Sequence, residues 1–168
     1  VDETVTVLPS AGAVLGFQYR GRVLAERGAL SPAGVTGVQA TARRYHYDGP
    51  TGSVLVALTA QGAACFGAPA HALSGRSVPL DELVSPSLVR EVLSRLADAR
   101  DDGARVVVVE DALRSLPYER DALVDRALAL LDATGDDVER SVAAVARRLS
   151  ISERQLGRRF RARVGVSP

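Results

Sequence analysis

Ser141–Pro168 reads SVAAVARRLSISERQLGRRFRARVGVSP, and its apolar residues recur at helical rather than strand spacing. Over Ser141–Leu149 the inward positions are Val142, Val145, Ala146 and Leu149. Ser150-Ile151-Ser152 then breaks the period, with Ile151 placed to fill the space between two helices. Ser152 suits the N-cap of a second helix, and Glu153 suits its first turn, where a carboxylate meets the positive end of the helix dipole. That helix puts Leu156, Phe160 and Val164 inward at i, i+4 and i+8, and Gly165 ends it. The spacing predicts a helix-turn-helix, with Ala146 small where the two helices approach.

The opposite face of the second helix presents Arg154, Gly157, Arg158 and Arg161. A guanidinium matches the O6/N7 edge of guanine in the major groove and also binds phosphate. Gly157 lets a helix lie close to base edges. From Val138 to Pro168 eight arginines stand against two acids, a net +6, which leaves −5 on the rest of a chain whose total is +1. A basic segment on a mildly acidic body suits a nucleic-acid reader, since phosphate neutralisation supplies non-specific affinity. A solvated basic tail would carry the same charge. The turn, the inward set and the charge taken together favour the reader.

The segment resembles the first helix-turn-helix of the AraC/XylS family of transcription regulators, whose pattern runs A-x-x-L-x-[IL]-S-x-x-x-L-x-R-x-F-x-x-x-x-G-x-[ST]-P. Ala146, Leu149, Ile151, Ser152, Leu156, Arg158, Phe160, Gly165, Ser167 and Pro168 meet it in one register. The resemblance implies base contacts from Arg154, Gly157 and Arg158 and backbone contacts from Ser152 and Arg161. Gly157 departs from the longer polar side chain often found there, so base readout would rest on Arg154 and Arg158. Further upstream, Val7-Leu8-Pro9 and GAACFGAPAHALSGRSVPLDELV (Gly62–Val84) are similar to the N-terminal region of one subgroup of that family. The family's DNA-binding part is about twice as long and holds a second helix-turn-helix, so a truncated reader is expected here. The absence of Met likewise points to a lost natural start.

Outward from this segment, Val5 to about Phe66 reads as β structure: VTVL, AVLGFQY and SVLVALTA are separated by Gly, Pro and Asp turns. Asp48-Gly49-Pro50-Thr51-Gly52, between ARRYHY and SVLVALTA, predicts a hairpin with a longer loop. Short strands at this spacing predict a small barrel or sandwich, cupin-like in outline. Ala64–Pro69 reads as a short helix stopped at Gly67, followed by a loop to Val78-Pro79-Leu80. Ser85-Pro86 starts a helix with Leu88, Val89, Val92, Leu93 and Leu96 on one face. RVVVVE alone says strand, but its setting favours a helix over Arg105–Leu116, closed by Pro117. Glu119–Ala133 is a helix with Leu123, Ala127, Leu128 and Leu131 inward, and Thr134-Gly135-Asp136-Asp137 a break.

The expected fold class is α+β in three parts: 1–84 a β-rich sensing or dimerising domain, 85–134 a helical connector, and 135–168 the helix-turn-helix. Arginine supplies all 21 basic residues, a codon bias of GC-rich bacterial genomes. No run approaches the roughly 18 apolar residues of a membrane span, and Asp2 and Glu3 argue against a signal peptide, so a cytoplasmic protein is expected. Cys65 stands alone and reads as a small hydrophobe, with no disulfide or zinc site. His46 and His71 lack metal-spaced partners, so no metal and no cofactor is expected. Phe17, Tyr19, Tyr45 and Tyr47 either line a ligand pocket or pack in the core. No catalytic triad, phosphate loop or paired carboxylates can be assembled, and a non-enzyme is expected.

The function expected is regulated, sequence-specific binding of double-stranded DNA, with an unidentified small-molecule effector and a second copy of the chain as further partners. The alternative is a small-molecule-binding or enzymatic β barrel whose helical tail only packs or dimerises, with Arg154 and Arg158 tied into internal salt bridges. A protein–protein adaptor using the helices from Ser85 to Ala133 is a third option.

Overall fold

The computed structural model describes residues 3–10, 12–26, 28–133 and 141–168; the expected break at Thr134–Asp137 lies outside them. The fold is α+β. Strands β1 (Glu3–Val7), β2 (Val14–Ala25), β3 (Gly28–Ala29), β4 (Ala33–Thr36), β5 (Arg43–Ala57) and β6 (Ser77–Pro79) form one antiparallel sheet. Its order is β1-β5-β2-β4-β6, with β3 paired to β2. Among the described residues β1 and β6 sit at opposite ends of this path without pairing, so the strands close neither the expected barrel nor a two-sheet sandwich.

The hairpin expected at Asp48–Gly52 is corrected too: β5 runs straight through it. Gln18 faces Ser53, Arg20 faces Gly52 and Arg22 faces Asp48, so the extra residues are taken up as a bulge. Gly21 (φ 73) and Gly49 (φ 69) supply the left-handed backbone this needs. A Cβ on Gly21 would lie 2.7 Å from the Pro50 carbonyl. Turn chemistry thus produced a bend within a strand rather than a reversal between two.

The alternation of β2 sends Leu15 and Phe17 to one face, where they meet Val35, Val78, Phe66, Val89, Val92 and Leu96 in the first core. The other face of the sheet is open, and Leu55 stands 68% exposed on it. The loop expected between Gly67 and Leu80 contains the short helix α1 (Ala70–Leu73) and strand β6. Helix α2 (Pro86–Asp98) has Pro at its start, as expected, and packs on β2. The four-valine run is helical, in α3 (Asp102–Ser115), capped by Asp101 accepting from the Ala104 N–H. Arg105 ties the α2–α3 corner to the sheet. It donates to the Leu96 and Ala99 carbonyls and lies 4.3 Å from the centre of the Tyr19 ring.

A second core is built from α4 (Ala122–Asp132), α5 (Val142–Arg148) and α6 (Glu153–Arg163). It buries Val124, Ala127, Val145, Ala146, Leu156 and Phe160. The connector expected over 85–134 is therefore not one piece: α2 and α3 belong to the first core, α4 to the second. The α4 stripe read from the sequence could have packed on either.

Candidate nucleic-acid interface

The geometry of α6 starts at its N-terminus. Ser152 accepts from the Gln155 N–H at 3.2 Å while the Gln155 side chain accepts from the Ser152 N–H at 3.0 Å, a reciprocal capping box. The turn before it is fixed by Ser150 in the left-handed region, at φ 56. The Ile151 N–H reaches back to the Ala146 carbonyl at 3.1 Å, closing α5 in the manner of a Schellman motif. Ile151 packs against the second core, as its position in the turn suggested.

Leu156 and Phe160 are buried, so Arg154, Arg158 and Arg161 are turned outward and exposed. Gly157 lies between them, and a Cβ there would meet nothing within 4 Å. The arginines of this segment divide into two sets. Arg159 donates to Asp121 Oδ2 at 2.6 Å, and Arg163 donates to the Glu119 carbonyl at 3.3 Å. Arg161 uses Nε toward Ser167 Oγ at 3.4 Å and keeps its terminal nitrogens. Arg147, Arg148, Arg154 and Arg158 make no hydrogen bond or ion pair to the described residues. Ser152, expected at the DNA backbone, holds the exposed N-terminal end of α6 through its cap.

Asp121 caps α4 by accepting from the Leu123 and Val124 N–H groups at 3.0 and 3.3 Å. Burial pushes its carboxyl upward, but the hydrogen bond and charge of Arg159 and the two capping N–H groups outweigh this. They hold it below its ordinary value. Asp121, Arg159 and the cations Arg147 and Arg148 were not singled out in the sequence. An N-cap Asp before an apolar run was the one available signal for Asp121.

The four aromatic residues weighed as a pocket are not brought together. Phe17 is buried in the first core beside a cavity of about 10 Å³, room for no more than a water. Tyr19 lies under Arg105. Tyr45 lines a surface depression with His46 and Arg44 at the far end of β5, and Tyr47 pairs opposite Val23. Ligand sites usually enclose roughly 300–1,000 Å³. Cys65 is buried, and burial pushes its thiol up. Among the described residues no cluster of three or more His, Cys, Asp or Glu could hold a metal, and no helix is long and apolar enough to cross a membrane. No family model, curated protein or solved structure matches the chain.

Proposed function

We propose that this chain is a sequence-specific DNA-binding transcription regulator that lays α6 in the major groove. One observation carries the proposal. The face of α6 opposite Leu156 and Phe160 presents Arg154 and Arg158 without internal partners, while Arg159 and Arg163, round the side, are engaged by the protein itself. A guanidinium left free beside engaged ones is available to a ligand of opposite charge, and its planar fork fits guanine or phosphate. Gly157 gives the helix room to approach. The alternative of a merely packing tail expected Arg154 and Arg158 in internal salt bridges, and its expectation is not met by the described residues.

Arg154 and Arg158 are the base readers in this proposal; Ser152 and Arg161 face phosphates. The resemblance of 146–168 to the AraC/XylS pattern supports the same roles. The sheet with α1, α2 and α3, the first unit, is the sensing or dimerising part, and its filled interior favours recognition on its surface over an enclosed effector.

Selection from random-sequence duplexes by the 168-residue chain tests this. Arg158→Ala relaxes discrimination at particular base positions, whereas Arg161→Ala weakens all sequences alike and lowers the salt slope by about one. Identical behaviour of the two variants, or binding indifferent to salt, would sink the proposal.

A further inference from the structure

Gln61 is the only buried polar residue among those described, at 1% exposure. It lies just before the 3-10 turn Gly62–Phe66 of the first unit, yet its side chain reaches the start of α4, sixty residues on. Its Nε2 donates to the Asp121 carbonyl at 3.1 Å and to Asp125 Oδ1 at 2.7 Å, and its Oε1 accepts from the Asp121 N–H at 2.9 Å. An amide is costly to bury unless its groups are matched, and here both ends of it are. Asp121, held by its backbone in this way, extends its 9%-exposed carboxylate to Arg159 of α6. The other end of α6 is also tethered to the first unit. Ser74 Oγ donates to the Gly165 carbonyl at 2.9 Å. A Cβ on Gly165 would lie 3.0 Å from that hydroxyl and 3.1 Å from the Ala70 carbonyl.

We infer that Gln61 is a positioning residue for the guanidinium face of α6. The relay Gln61–Asp121–Arg159 sets the pose of the reading helix on the first unit, and a change in that unit at Gln61 is transmitted to DNA affinity. The last clause rests on the DNA-binding proposal; the relay itself does not. The links run at 2.6–3.1 Å between parts of the chain far apart in sequence, and the first is desolvated, where a lost partner is felt most. Two further charges face the relay. Arg120 holds Asp125 Oδ2 at 2.9 Å, leaving Oδ1 for Gln61, and Arg163 reaches the Glu119 carbonyl beside it.

The test compares the wild-type chain with Gln61→Ala, Gln61→Glu and Gln61→Glu/Asp125→Asn. The double variant restores the Asp125 contact in the opposite sense and leaves the Asp121 carbonyl without its donor. Amide hydrogen exchange is read at Leu123, Val124 and residues 156–160, with β2 and β5 as the reference for global stability, and affinity is read for a short random-sequence duplex over a range of salt. Both single variants should speed exchange at the start of α4 and in α6 about tenfold more than in the sheet. They should also weaken duplex binding several-fold with the salt slope unchanged, because no phosphate contact is lost. The double variant recovers the part of both effects that belongs to the Asp125 contact and falls between Gln61→Glu and wild type. If Gln61→Ala does not fold, Arg159→Gln opens the relay from its exposed end and is scored by exchange. Equal acceleration in both units, or an unaltered α6, overturns the relay. A wild-type chain that ignores the duplex overturns the DNA-binding proposal alone, and the exchange pattern still decides the relay.

Discussion

Asp121 does three things at once: it caps α4, receives Gln61 on its backbone and pairs with Arg159. Asp121→Ala removes the cap and the ion-pair partner together and should destabilise the fold by about 2–3 kcal/mol in urea unfolding. Because folding holds this carboxyl below its ordinary value, its contribution is complete above the usual carboxylate range. It drains away as the pH falls through the folded value. The gap between wild type and Asp121→Ala should therefore narrow in acid; a gap that stays constant down to acid unfolding would contradict the pairing. Much of the exposed arginine face of α6 was legible in the sequence, because Leu156 and Phe160 fix which side of the helix faces inward and the arginines follow from the period. Gln61 was not, since nothing local marks a glutamine whose partners are sixty residues away. Nor could the sequence sort free arginines from engaged ones, as that depends on where α4 docks.

Among the elements, α3 teaches most about what the sequence can say. Four consecutive valines favour a strand by propensity, yet the Asp101 cap and the two-sided distribution of the run make it a helix: Val108 and Val109 are buried, Val106 and Val107 exposed. Val109→Ala should cost about 2 kcal/mol and Val107→Ala close to nothing, the latter offset by helix propensity; thermal unfolding separates them, and a strand would have put both on one face. In a strand the cost would alternate residue by residue. The turn ahead of α6 offers a second check. Ser150 is the one described non-glycine residue at positive φ, so Ser150→Gly should leave stability unchanged or raise it by up to about 1 kcal/mol. At the other end, Gly165→Ala combines φ 98 with a tight approach to Ala70 and Ser74, and should cost about 2 kcal/mol while unseating α6 from α1. The β elements were read less well. A Gly/Pro cluster signals a chain bend in either a hairpin or a bulge, and only the length of the partner strand β2 decides between them.

For the molecule as a whole, charge and packing divide at different places along the chain. The basic segment 138–168 carries +6, most of the acid that offsets it stands just before, at −4 over 118–137 around α4 of the same core, and the chain before that is near neutral at −1, for a total of +1. In the basic segment Arg147 and Arg148 have no internal partner and Arg161 keeps its terminal nitrogens; with these three on phosphates and Arg154 and Arg158 on bases, log affinity for duplex DNA against log salt should have a slope of about −3. A slope near zero would mean that the face is not the binding surface. The two cores were not separable from sequence alone, because the apolar stripe of α4 is equally compatible with either neighbour.

The bulge at Gly21 and Asp48–Gly52 has a mechanical consequence. Beyond it, among the described residues, Val23 is the one buried side chain of β1, the end of β2 and the start of β5, it joins neither core cluster, and this ribbon is held mainly by its backbone ladders. A load applied at Tyr45 would flex the ribbon at its two left-handed glycines instead of prying apart the leucine and valine layer behind Phe17. That end of the sheet is a compliant handle on a stiff body.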